Sequence, residues 1–294
     1  MLSTEMDPTD TLLSLVPKVT PRDRQILSDL YDHQVLTTHH LHQLHFAERS
    51  VRMVRLRMQQ LRTYGLVSSF RPYAHAGTSP NHWVVDQLGL QWLAAQRNTT
   101  LTELDSRADH RMRIALHHQL GHVLGLADTF VAFTLAARRT RPASLERWYS
   151  ERESARRWGR HIRPDAYLQW DQDETELHAF VEYDTGTEPL TKVVRKMKGY
   201  TNLATESALA SIVLFAVHSD QRAEHLLDKL ATAPSAQLRI VGAYVSTHER
   251  LNKHGPERAV WRAPGDHGGH GQRLSLVDIA LRHPRKEQGR DDSE

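Results

Sequence analysis

Asp165 and Glu182 could do chemistry together. Arg163-Pro164-Asp165 precedes the run Ala166-Tyr167-Leu168, and Ala179-Phe180-Val181 leads into Glu182-Tyr183-Asp184. A Pro-Asp opening one strand and an acid closing its neighbour meet at one sheet edge if the strands are antiparallel. Asp184, two residues beyond Glu182, shares its face. Hard oxygen ligands of this kind suit Mg²⁺, which orients water and neutralises charge in phosphodiester cleavage. The expected metal set is therefore Asp165, Glu182 and Asp184. On the next helix Lys192, Lys196 and Tyr200 recur at i, i+4 and i+8 and share a face, so Lys192 or Lys196 could supply positive charge. The plainer alternative is strand-end acids in water and lysines coating a solvent face.

Other chemistries find less support. The chain has 20 histidines and no cysteine, which excludes disulfides, thiolate zinc sites and cysteine nucleophiles. His118 and His122 have a zinc-compatible helical spacing, but no glutamate lies between them as a metalloprotease would need, and Gly121 sits there instead. His39, His40, His42 and His45 crowd one short helix and are expected to face solvent or DNA phosphates. Phosphate-binding, dinucleotide-binding and nucleophile-elbow glycine motifs are missing, so no nucleotide cofactor is expected. No apolar run approaches a membrane span and the first twenty residues lack a cationic start, so no membrane is expected and the location is cytoplasmic.

These residues need elements to position them, and 294 residues are comfortable for two domains. Residues 1–19 read as a flexible arm. Thr20-Pro21-Arg22-Asp23 starts a first helix with Ile26, Leu27 and Leu30 inward. Thr37 or Thr38 caps a short second helix. A third runs from about Glu48 to Tyr64 with Val51, Val54, Met58 and Leu61 on one stripe. Gly65 ends it, and Leu66 to Phe70 and His82 to Val85 read as a strand pair. Lys plus Arg is 38 against 35 for Asp plus Glu, so net charge decides little. Between Arg49 and Arg62, however, there are five arginines and no acid. Helix, short helix, basic helix, hairpin is the order of a winged helix-turn-helix over residues 20–96. Double-stranded DNA is the expected partner, met by Arg49, Ser50, Arg52, Arg55, Gln59 and Arg62; a homodimer is left open.

Residues 97–108 read as a linker. Residues 109–250 read as helix, three strands, helix, strand, helix, strand, a mixed sheet flanked by helices, so the fold class is α+β. Residues 251–294 read as a His/Gly-rich extension ending in a disordered tail. The order and spacing of Asp165 and Glu182 resemble the PD-(D/E)xK restriction-endonuclease-like fold. That resemblance implies a catalytic set of Asp165, Glu182 and Lys192 or Lys196, because Asp184 stands where the strand lysine belongs and some members of that fold supply the charge from the following helix.

The combined pattern over about residues 20–245 resembles the replication-relaxation family of actinobacterial and other Gram-positive plasmids and mobile elements. Its most telling stretch is Glu182-Tyr183-Asp184-Thr185-Gly186-Thr187-Glu188, followed by Lys196 and Tyr200. The resemblance implies a DNA-binding protein acting in plasmid replication or relaxation. Two alternatives stand beside it: an active Mg²⁺-dependent DNA endonuclease, and a winged-helix transcriptional regulator whose second domain senses a ligand or dimerises.

Overall fold

Capping chemistry sets the first long helix. The Thr20 hydroxyl accepts from the Asp23 N–H at 3.3 Å, and the Asp23 carboxylate accepts from the Thr20 N–H at 2.7 Å. This closes the capping box expected from the sequence. The computed structural model describes residues 8–72, 79–104, 119–207, 212–232, 240–265 and 272–284. Contacts divide the chain into two units, Met1–Val131 and Ala132–Glu294.

The first unit begins with α1 (Pro8–Leu15) where the sequence suggested a loose arm; Leu15 and Val19 are buried. Then come α2 (Pro21–His33), β1 (Leu36–Thr37), α3 (Thr38–His45), α4 (Val51–Thr63), β2 (Val67–Phe70), β3 (His82–Val85) and α5 (Gln87–Gln96). The strands form an antiparallel sheet in the order β1-β3-β2, with Leu36 opposite Trp83 and Val67 opposite Val85. Val54, Met58 and Leu61 of α4 are buried, as are Ile26 and Leu30 of α2. Val51, expected on the same stripe, is 37% exposed because it lies on the stripe's flank in the first turn. Gly65 takes a φ of +73° as α4 ends, a conformation glycine adopts without steric cost. Part of the expected linker packs on this unit: Leu104 is buried and its carbonyl accepts from Tyr31 Oη at 2.8 Å. Residues 105–108 lie outside the described residues, as does His118.

One arginine of α4 is structural. Asp23 is fully buried, and its carboxylate receives both Nε and Nη2 of Arg57. Burial alone would raise the Asp23 carboxyl, but Arg57 and the Thr20 donors outweigh it and hold it below its ordinary value. The pair therefore stabilises the first unit above the unfolded carboxylate range and is lost as pH falls through the folded value. Arg57→Ala should cost about 2–3 kcal/mol at neutral pH, less than a fully buried pair because the arginine keeps some exposure. Denaturant unfolding at pH 7 and pH 3 checks this, since the deficit should shrink in acid. An equal deficit at both values would assign the loss to packing.

The histidines of α3 differ from expectation. His40 is buried, accepts from the Thr37 N–H at 3.2 Å and meets Asp128 at 2.7 Å. His45 pairs with Asp29 at 2.8 Å and His42 reaches the Arg49 carbonyl at 2.7 Å. His39 alone of the four is exposed. The others are used up in caps and cross-helix bonds.

The 20-residue α6 (Leu120–Arg139) is long and apolar enough to cross a membrane, which the residue count along the sequence did not suggest. Its apolar side chains serve protein cores instead. Val123 packs with Val35 and Val84 in the first unit. In the second, Phe133 lies 5.7 Å from Trp148 and 6.2 Å from Trp170.

The second unit continues with β4 (Ala143–Ser150), α7 (Glu151–Trp158), β5 (Ala166–Gln172), β6 (Thr175–Asp184), α8 (Leu190–Glu206), β7 (Ile212–Val217), α9 (Asp220–Ala231), β8 (Gly242–Thr247), α10 (His248–His254) and α11 (Leu276–Arg282). The five-stranded sheet runs β4-β5-β6-β7-β8. Strands β4 to β6 pair antiparallel, and β6 to β8 pair parallel. One face carries Tyr167, Phe180, Val213, Phe215 and Val245 against Val193, Met197 and Tyr200 of α8 and Leu226 and Leu230 of α9. Helix α7 was not expected, because Glu151 to Arg157 is polar apart from Ala155. It is anchored through buried Trp158, which stacks edge-on to Phe180. The C-terminal segment read as an extension also belongs to the fold. Leu251, Trp261, Leu274 and Ile279 are buried, and bridges join Val245 to Arg262 and Trp261 to Leu274. The expected disordered tail, 282–294, starts inside the fold, with Arg282 ending α11 and His283 Nε2 2.8 Å from Tyr244 Oη, and residues 285–294 lie outside the described residues.

Candidate functional site

Strand register brings the two acids together. Ala166 faces Val181 in the antiparallel β5–β6 pair, so Asp165 and Glu182 are the next positions outward. Side chains alternate along a strand, so Glu182 shares the Phe180 face and lies under α8. Asp165 is buried and its Oδ2 accepts from the Tyr183 N–H at 2.7 Å. Glu182 is 2% exposed.

Helix α8 answers the buried carboxylate. Lys196 Nζ donates to Glu182 Oε2 at 2.5 Å, and the Tyr200 hydroxyl donates to Oε1. The i, i+4 spacing puts both donors on one helix face, and Tyr200 is itself buried. Burial pushes the Glu182 carboxyl up and the neighbouring Asp165 charge adds to it. Lys196 and Tyr200 pull the other way, and the balance lifts it to about 7. Burial would lower the Lys196 ammonium, but Glu182 and Asp165 outweigh burial and hold it above its ordinary value. Burial and Glu182 also raise the Tyr200 phenol well above its usual range.

Two expected members stand apart. Lys192 is 62% exposed and pairs with Glu188 at 2.5 Å, not with the acids. Asp184 is held bidentately by Arg222 of α9, at 2.6 Å from Nε and 3.2 Å from Nη2, and also accepts from the Gly186 N–H at 2.9 Å. The position where the restriction-endonuclease-like resemblance expected a lysine thus holds an acid paired with arginine. Arg222 lies 38 positions from Asp184 in the chain, and no spacing in the sequence announces it. Among the described residues, no group of three or more His, Asp or Glu side chains is gathered to hold a metal ion. Asp165 and Glu182 remain as a pair with Lys196 between α8 and the sheet.

In the first unit, Arg49, Ser50, Arg52, Arg55, Gln59 and Arg62 are all exposed. The guanidinium groups of Arg49, Arg52, Arg55 and Arg62 have no hydrogen-bond or ion-pair partner among the described residues. Arg57 is the exception to the five unopposed arginines read from the sequence. Met53 and Leu56 are 49% and 55% exposed on the same helix, off the apolar stripe that marks its inward face.

The comparisons with curated proteins and with solved structures return no match. A family model described as replication-relaxation matches residues 27–211, more than half of the chain. That span covers α3, α4 and the hairpin of the first unit together with Asp165, Glu182, Lys196 and Tyr200 of the second, and by it the chain belongs to the replication-relaxation family.

Proposed function

We propose that this protein binds duplex DNA of a plasmid or mobile element through its first unit and nicks one strand with the Asp165, Glu182 and Lys196 centre of its second. The observation that carries the reading is the Lys196 ammonium at 2.5 Å from Glu182, next to Asp165. In this reading the first unit is a winged helix-turn-helix: α2, α3 and α4 precede a hairpin whose sheet order is β1-β3-β2, and α4 presents unpartnered guanidiniums. The second unit is a PD-(D/E)xK-like domain in which Lys196 does the work of the strand lysine. Relaxing supercoiled DNA requires a strand break, and a nicking centre supplies one.

Asp165 and Glu182 would hold a divalent cation. Two carboxylates, with water and a substrate phosphate completing the shell, are a common setting for Mg²⁺. Bound there, the ion supplies Lewis acidity at the phosphodiester. Lys196 stabilises the charge that develops on the phosphate. Tyr200 fixes the Glu182 carboxylate, and Arg222 keeps Asp184 from adding a third negative charge. Glu182 must be ionised to take a cation, so cation binding and activity should weaken in acid as its raised carboxyl takes up a proton.

Supercoiled plasmid incubated with the protein and Mg²⁺ or Mn²⁺ tests the reading. Open circles are expected from the wild type, with fewer in acid. They should disappear with Asp165→Asn, Glu182→Gln or Lys196→Met and persist with Lys192→Ala. Duplex binding without nicking in any divalent ion would reduce the second unit to a DNA-holding fold, and nicking by Glu182→Gln would place the chemistry elsewhere.

A further inference from the structure

We propose that Leu56, flanked by Met53, reads the 5-methyl group of thymine in the major groove; the inference rests on α4 being the DNA-reading helix. Buried Val54, Met58 and Leu61 fix the inward side of α4. At about 100° per residue, Arg52, Leu56 and Gln59 then point the opposite way, and Met53 lies on the shoulder of that ridge. Leu56 is 55% exposed there and Met53 49%. Leu56 keeps more than half of its surface exposed and lies outside the buried core of the unit.

Charge selects the occupant. Arg52 lies one turn before Leu56 on the ridge, Arg55 and Arg62 line the flank away from Met53, Arg49 stands just ahead of the helix, and no acid occurs between Arg49 and Val85. A second copy docked on the same ridge would set guanidiniums against guanidiniums. Duplex DNA instead offers phosphates to the flanking arginines and, within the groove, one apolar feature on a base edge, the thymine methyl. The ridge thus joins both readout modes: arginines on guanine edges or phosphates, and Leu56 on thymine.

The test uses duplexes enriched by the full-length protein from a random pool of about 20 base pairs, the span of roughly two helical turns. Each thymine is then replaced singly by uracil, which removes the methyl group and leaves the hydrogen-bonding edge intact. The wild type should lose about fourfold in affinity at one or two positions, the worth of one buried methyl group. Leu56→Ala should bind the thymine duplex more weakly and show no difference at those positions. Leu56→Ala is exposed and helix-favouring, so its fold and thermal transition should match the wild type. Equal wild-type affinity for thymine and uracil at every position, or an unchanged preference in Leu56→Ala, overturns the inference while leaving α4 as a DNA reader. Absence of any duplex binding ends both.

Discussion

Lys196→Met should destabilise the protein by about 2–4 kcal/mol at pH 8 and by much less at pH 5. Removing one partner of a buried ion pair costs roughly 3–5 kcal/mol, and the Lys196 side chain keeps 30% exposure, which lowers the expectation. The pH dependence follows from Glu182. Its folded value, about 7, lies above the 4.5 of an ordinary glutamate. The stability linked to its proton is therefore fully present below about pH 4.5 and is lost as pH rises toward 7. Without the ammonium, burial and Asp165 act on Glu182 with only Tyr200 opposing them, so the folded value climbs further and the loss extends to higher pH. In acid a proton replaces the ammonium and the deficit closes. Glu182→Gln should flatten the wild-type slope between pH 4.5 and 7. The double variant Glu182→Gln/Lys196→Met should recover much of the single-variant loss, because no uncompensated charge remains. Chemical denaturation of the four proteins across pH 5–8 measures the coupling directly. A deficit for Lys196→Met that does not vary with pH would mean that the lysine matters through its methylenes alone.

Much of this centre was legible because strand and helix periods are short-range rules. The β-period placed Asp165 and Glu182 on one edge once their strands paired antiparallel, and the helical i, i+4 spacing placed Lys196 and Tyr200 on one face. What these periods could not give was the choice between lysines. Lys192 and Lys196 share a face, and only the distance from Glu182 separates them. Arg222 was hidden for the same reason: it reaches Asp184 from α9 through a tertiary contact with no sequence signature. In the first unit the capping box at Thr20 and the end of α4 at Gly65 are local and were readable. The fate of Arg57 was not, because Asp23 carries a local capping signal while its pairing with Arg57 spans 34 positions and has no sequence signature. Helix α7 escaped because it is held by one tryptophan at its end rather than by a repeating apolar stripe.

Arg49→Ala/Arg52→Ala should lower duplex affinity on the order of 100-fold or more, since each bidentate guanine contact carries about 1–3 kcal/mol of discrimination. Both residues lie at the N-terminal end of α4, where reading helices meet base edges. Their side chains are exposed and without partners among the described residues, so the change should leave the melting temperature intact. Arg55 and Arg62 lie on the flank of the helix, which the proposed binding mode would set toward the duplex backbone. Replacing either should weaken binding to all sequences alike and reduce the slope of log affinity against log salt by about one. Arg57→Ala provides the internal control, because its guanidinium is committed to Asp23. It should lose stability while keeping affinity per folded molecule. The three patterns separate base reading, phosphate contact and scaffold by independent readouts: affinity on the enriched duplex against random duplex, salt slope, and unfolding. Equal affinity of wild type and the Arg49/Arg52 double variant would remove α4 from the interface. A loss that is uniform across sequences would demote both arginines to phosphate contacts, leaving Leu56 and Gln59 to carry whatever discrimination the helix retains.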